Sequence, residues 1–278
     1  MLNIHCNDKS ITILVMSMQE NVDYYFSKTL EKGLVILRLF DRDHTRLSLA
    51  EIARSTGINT TSTYRYVNTL VRLGYLKKHP NTKLLKLGNK ALILGHNFLN
   101  SFDLLYTTKP LIDKFFRKHT VTIDTVLREG FSLIAFYRRE APNTIFFRQP
   151  LISKDLHVRA TGKAVLAQFS DEEVARFFDK HTLERHTSHT LTTKKQLLAD
   201  IEATRTRGYS INNEEYMVGL ISIAAPLMNF QTHTVVGAVS LDFPASEISL
   251  QSIEQEYPGP LTKLANELSE IMTMAEHS

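Results

Sequence analysis

The chain has 278 residues, 43% of them apolar and 22% charged, with eleven glycines, eight prolines and a formal charge of +4. That composition is globular and long enough for two domains, and it excludes a chain disordered along its length or dominated by collagen-like or linker sequence. A single cysteine, Cys6, excludes an internal disulfide, a zinc finger of several thiolates and an iron–sulfur centre, and it fits a reducing cytoplasm.

The longest early apolar run, Ile11–Met16, is shorter than the roughly 20 residues a membrane span needs. It also lacks a small-residue cleavage site after it, so it does not read as a secretory signal. Residues 1–20 are set aside as a leader or a non-native start, with Met16 or Met18 as the alternative initiator. Charge is segregated beyond this point. Gln19–Ser101 holds 13 Lys/Arg against 6 Asp/Glu, whereas Phe102–Ser278 holds 19 against 22. A basic front third on a mildly acidic body is the electrostatic outline of a nucleic-acid-binding module joined to something else.

In the front third, Leu30, Leu34 and Leu37, with Val35, Ile36 and Leu39, repeat at helical spacing behind a Ser27 cap. Ser48 stands three residues before Glu51, a capping box that opens a helix over Leu49–Thr56, and Gly57 ends it in a tight turn. A further helix spans Thr60–Leu73. Thr63, Val67, Leu70 and Val71 face inward, and Thr60, Thr61, Ser62, Tyr64, Arg65 and Asn68 form an opposite face with no acid. Two short helices about a glycine turn make a helix-turn-helix, whose second helix lies in the major groove. Gly74 stops that helix. Tyr75–Lys78 and Lys83–Leu87 then flank a Pro-Asn turn as a hairpin carrying Lys77, Lys78, Lys83 and Lys86, a basic wing for flanking phosphates.

The body mixes helices and strands. Asn89–Ser101 reads as a linking helix, and Phe102–His119 as a helix that Pro110 breaks or kinks. Strands are expected at Thr122–Arg128, Leu133–Arg139 and Thr144–Gln149, the first two joined by Glu129-Gly130, and again at Ser222–Met228 and Val235–Asp242. Helices are expected at Ala160–Gln168, at Asp171–Asp179 behind a Ser170/Glu173 box, at Lys194–Arg207 ended by Gly208, and at Leu261–Met274. Mixed and partly antiparallel, these make an α+β domain.

Ser48, Leu49, Ile52, Ala53, Gly57, Arg65, Leu70, Gly74, Tyr75, Leu87 and Gly88 fall on the helix-turn-helix pattern of the IclR family of bacterial transcriptional regulators. His157–Ala167 resembles that family's GKA segment. Arg207-Gly208-Tyr209, Glu214-Glu215 and Gly219–Pro226 resemble a later motif, so the resemblance spans about residues 25–275. It implies a two-domain α/β chain: residues 1–20 as leader, a winged helix-turn-helix over 21–88, a linker helix over 89–102 and a GAF-like effector-binding domain over 103–278. DNA contacts would come from Ser48, Asn59, Thr60, Thr61, Ser62, Tyr64, Arg65, Asn68, Lys77, Lys78 and Lys83. An effector would meet Phe146, Ala160, Thr161, Asn212, Ser222, Ser240 and Asp242, with Phe147 and Leu156 as further apolar wall. Many relatives carry Asp at Asn212, Cys at Ser222 and a small residue at Asp242, so no relative's ligand carries over; Asp242 would repel an anion or bond a hydroxyl.

The partners so implied are double-stranded operator DNA, a small organic effector that is a carboxylate or an aromatic, and a second copy of the chain, with a dimer of dimers as in relatives. No membrane, cofactor or metal is implied. A repressor is the reading preferred, with an activator of the same architecture or a sensor without DNA binding as alternatives. An enzyme is not expected, because no phosphate-binding loop, nucleophile elbow or dinucleotide fingerprint occurs. His181, His186 and His189 match no zinc spacing and read as a solvated loop. Glu214-Glu215 reads as a polar turn.

Overall fold

The computed structural model describes residues 25–41, 43–101, 104–145 and 150–275. The leader segment, Phe146 and Phe147 lie outside them. The chain divides into two compact units between Phe98 and Leu99.

In the first unit, α1 (Lys28–Arg38), α2 (Leu49–Thr56) and α3 (Thr60–Leu73) precede a hairpin of β1 (Leu76–Lys78) and β2 (Leu85–Leu87). Local chemistry sets the boundaries. Ser48 and Glu51 close a reciprocal capping box on α2, and Asn59 Oδ1 accepts the Ser62 amide at 2.9 Å to start α3. Gly57 and Gly74 end these helices with φ of 67° and 84°, a left-handed conformation that glycine adopts without a Cβ penalty. Ile36, Phe40, Leu47, Ile52, Val67, Leu70, Leu76 and Leu85 fill the core. Leu47 also exchanges two backbone hydrogen bonds with Leu85, adding a third edge to the wing. One expectation changes here. The Leu30/Leu34 stripe of α1 is exposed, Leu30 by 64%, and it is Ile36 that the core buries.

The linking helix α4 (Asn89–Ser101) leads to the second unit. Its elements are α5 (Leu104–His119), β3 (Thr122–Glu129), β4 (Ser132–Arg139), β5 (Ile152–Ser153), a 3-10 turn (Leu156–Val158), α6 (Ala160–Leu166), α7 (Asp171–Lys180), α8 (Lys194–Arg207), β6 (Ser210–Asn213), β7 (Leu220–Asn229), β8 (Thr234–Pro244), α9 (Leu250–Glu256) and α10 (Pro258–Ala275). The six strands form one antiparallel sheet in the order β5-β4-β3-β8-β7-β6. Period-two alternation splits its side chains. Ile123, Ile211, Ile221, Ile223, Val239 and Leu241 pack with α5, α9 and α10, while Val126, Ala224 and Ala238 pack with α6, α7 and α8.

Three expectations are corrected. α5 continues through Pro110, whose ring removes a single amide donor. Of the strand expected at Thr144–Gln149, Thr144 and Ile145 are not in a strand and residues 146–149 lie outside the described ones; Ile152–Ser153 pairs with β4 at the sheet edge. Leu156 is fully buried among α6 and its neighbours and is not among the described residues that line the polar cavity. Gly162 makes that packing feasible, since a Cβ there would stand 2.2 Å from the Leu156 carbonyl oxygen. No helix among the described residues is long and apolar enough to cross a membrane.

Candidate nucleic-acid interface and ligand cavity

α3 buries Thr63, Val67 and Leu70, so the 3.6-residue repeat turns Thr60, Thr61, Tyr64, Arg65, Asn68 and Arg72 outward. Tyr64 is 51% exposed. The helix contains no acidic residue. Ser62 is half-buried. The side-chain oxygens of Ser48 and Asn59 are engaged in capping, so these two residues first of all hold α2 and α3 in place. On the hairpin, Lys77 is paired in register with Lys86, and Lys78 and Lys83 are exposed beside them. Lys77 Nζ donates to Asn89 Oδ1 at 3.2 Å, and Lys83 Nζ donates to the Pro80 carbonyl at 2.6 Å. These neighbours are neutral, and none of Arg65, Arg72, Lys77, Lys78, Lys83 and Lys86 has an acidic partner among the described residues. A cationic surface without acids is suited to phosphate and base edges.

The second unit carries a polar cavity on the sheet face that α6 covers. Its lining includes Ala160, Thr161, Asn212, Ser222, Ser240 and Asp242, six of the seven positions expected for an effector; Phe146 lies outside the described residues. The register shows why they converge. Asn212 pairs with Ser222, Ser222 with Asp242, and Asp242 with Thr122, forming one row across four strands. The next row runs Ala224, Ser240, Asp124, Arg138. As bounded by the described residues, the cavity holds about 30 Å³.

Four further residues decide its electrostatics, and sequence reasoning singled out none of them. Asp124 and Arg159 line the cavity with Tyr216, and Arg138 stands behind it. Arg138 Nη1 donates to Asp242 Oδ2 at 3.0 Å and also bonds Asp124 Oδ2, while its Nε donates to Glu140 at 3.0 Å. Arg138 therefore offsets the negative charge of Asp242 that was expected to repel anions. Burial and the neighbouring Asp242 push the Asp124 carboxyl up to about 7, against the pull of Arg138. Asn212 Oδ1 accepts the Glu215 amide at 2.8 Å, so its oxygen organises the following turn. An aspartate two residues into a β-branched strand segment, and an arginine directly before Ala160, were the available signals.

Glu214-Glu215 is only half the polar turn expected of it. Glu214 accepts the Gly219 amide at 2.6 Å, but Glu215 is buried, with Lys163 Nζ at 2.7 and 2.8 Å from its two oxygens. Of the three histidines, His186 and His189 are exposed, while His181 stacks on Phe177 at 4.6 Å.

A winged helix-turn-helix followed by an α+β unit with a polar cavity defines the class of two-domain DNA-binding regulators. Residues 29–80 match the family model for the IclR helix-turn-helix domain, and residues 96–270 match that for the bacterial transcriptional regulator IclR C-terminal domain. The chain belongs to the IclR family of transcriptional regulators. It is 26% identical over 245 residues to the transcriptional repressor IclR of Escherichia coli (strain K12), covering 87% of this chain and 89% of that protein. It is 27% identical over 249 residues to the p-hydroxybenzoate hydroxylase transcriptional activator of Acinetobacter baylyi, covering 87% and 91%. An IclR homolog from Microbacterium hydrocarbonoxydans, solved in complex with 4-hydroxybenzoate, superposes with a TM-score of 0.71 at 17% identity over 90% of this chain and 100% of that one. These relatives are regulators, not enzymes.

Proposed function

We propose that the protein is a repressor that binds a pseudo-palindromic operator as a dimer and changes its affinity when a small organic ligand, a carboxylate or an aromatic, occupies the cavity. The observation that carries this reading is the exposed, acid-free face of α3 beside a lysine wing. In it, Thr60, Thr61, Ser62, Tyr64 and Asn68 meet base edges, and Arg65, Lys77, Lys78 and Lys83 meet guanine or phosphate. The E. coli relative's name supports repression; the Acinetobacter relative's name favours activation as the second reading. A bound 4-hydroxybenzoate in one homolog supports an organic-acid effector. Linkage through the helix joining the units would carry about 1–3 kcal/mol of coupling, some 5–150-fold in operator affinity.

The test is titration of a duplex from the gene's own promoter, followed by fluorescence anisotropy. Affinity should fall steeply with salt, because each neutralised phosphate releases counterion. Arg65→Ala should weaken binding by about 1–3 kcal/mol while leaving the fold intact. Unchanged affinity would remove Arg65 from the interface.

One winged helix reads one half-site, so pairing has to come from elsewhere on the surface. An apolar groove of about 650 Å³ in the first unit has Ser62 and Arg65 of the DNA face on one side and the exposed Leu30 and Leu34 of α1 on the other, and it is this α1 side that suits the same stripe of a second copy. Leu34→Glu should convert the dimer to a monomer in sedimentation equilibrium. A variant that sediments as the wild type would place the dimer contact elsewhere.

A further inference from the structure

The lining of the cavity has unmet hydrogen-bonding capacity of both signs. Arg159 is only 7% exposed, and its Nε and Nη2 have no hydrogen-bond partner. Its Cζ lies over the Tyr216 ring, 3.9 Å from the centroid, a contact that supplies no hydrogen-bond acceptor to Nε or Nη2. Asp124 is 4% exposed; Arg138 bonds its Oδ2, whereas its Oδ1 has no partner. A buried donor or acceptor without a partner is destabilising, and a buried charge more so. Yet the two side chains line one small cavity without bonding each other. That is the arrangement of a site whose missing partner is a molecule between them.

Building on the effector reading above, we infer that the cavity selects a small carboxylic acid bearing a hydroxyl or ammonium donor within two bonds of its carboxylate, with the carboxylate on Arg159 and the donor on Asp124 Oδ1. Arginine's planar fork matches a carboxylate in two parallel, charge-assisted bonds. A carboxylate cannot also face ionised Asp124, so at pH 8, above the value of about 7 to which burial raises this carboxyl, the group there has to donate. Space sets the separation. The enclosed space between the two side chains is about 30 Å³, so the carboxylate and the donor that meet them sit close together in the ligand. Ser222 and Ser240 add hydroxyls on the same face. Arg138 bonds Asp242 Oδ2 at 3.0 Å and the Ser240 hydroxyl lies 3.4 Å from Asp242 Oδ1, so the second carboxylate of the lining is already partly engaged.

The test is calorimetric titration of the full-length protein at pH 8, where Asp124 is ionised, with four matched three-carbon acids: lactate, alanine, propionate and pyruvate. Lactate or alanine should bind roughly tenfold or more tightly than propionate and pyruvate, which lack the donor. Which of the two binds identifies the donor as hydroxyl or ammonium. Arg159→Met should weaken the preferred acid by about a hundredfold, with Arg159→Lys intermediate. Asp124→Ala should reduce lactate and alanine to the level of propionate. Circular dichroism and operator binding by each variant separate a lost contact from a lost fold. Propionate or pyruvate binding as tightly as lactate and alanine would overturn the donor assignment, and full affinity in folded Arg159→Met would overturn the carboxylate assignment. If no acid of the set binds while 4-hydroxybenzoate shifts operator affinity, this inference fails and the regulator reading stands. If no promoter duplex is bound, the regulator reading itself fails.

Discussion

Lys163→Ala should destabilise the second unit by about 3–5 kcal/mol, a large part of the margin of an ordinary domain. Lys163 is fully buried at the fourth position of α6, with its ammonium on both oxygens of Glu215 and 3.3 Å from Asp200. Burial already pushes the Glu215 carboxyl above its usual range despite that ammonium. Removing the cation would leave two poorly solvated carboxylates facing each other, with only Arg207, 3.8 Å from Asp200, to offset them. The chain has no tryptophan, so urea unfolding followed by far-ultraviolet circular dichroism is the suitable measurement. Lys163→Met combined with Glu215→Leu should recover much of the loss, since replacing a buried ion pair by apolar groups is often close to neutral. A loss below about 1 kcal/mol for the single variant would mean that water reaches the pair and screens it.

The second large effect is on the pH dependence of stability. Asp124 ionises near its ordinary value of 3.8 when unfolded and at about 7 when folded, because burial and Asp242 disfavour the carboxylate more than Arg138 and Arg159 favour it. Between those values the folded chain holds a proton that the unfolded chain has released. Stability from this group is therefore fully present below about pH 4 and declines as pH rises through 7. A shift of three units corresponds to roughly 4 kcal/mol across that window. Asp124→Asn, neutral throughout, should lose this slope, so the wild type becomes less stable relative to the variant from pH 4 to pH 8. Parallel unfolding curves for the two proteins at every pH would show that Asp124 stays ionised in the fold.

Both effects arise from residues whose partners are remote in sequence, and that separation marks how far the chain could be read unaided. Ser48 with Glu51, and Ser170 with Glu173, announce helix starts because the capping bonds span three residues. Gly57, Gly74 and Gly208 announce helix ends because the required φ belongs to the glycine itself. The outward set of α3 follows from its period and from the absence of acid. By contrast, β5 and β6 are short segments whose strand character comes from pairing with β4 and β7, and the short α9 carries too few turns for a strong apolar repeat.

The six cavity positions beyond Phe146 came from family motifs, and the structure brings them together on one sheet face. Arg138, Asp124 and Arg159 belong to no local pattern. Arg138 and Asp242 stand 104 residues apart, and Lys163 and Glu215 stand 52 apart. The amino-acid order determined by itself where helices begin and end and which side of α3 is left without acid, because those signals act over three or four residues. Only the folded chain decided which buried charges meet and which remain unsatisfied in the cavity, because strand register, set by the packing of both sheet faces at once, determines which distant side chains share a row.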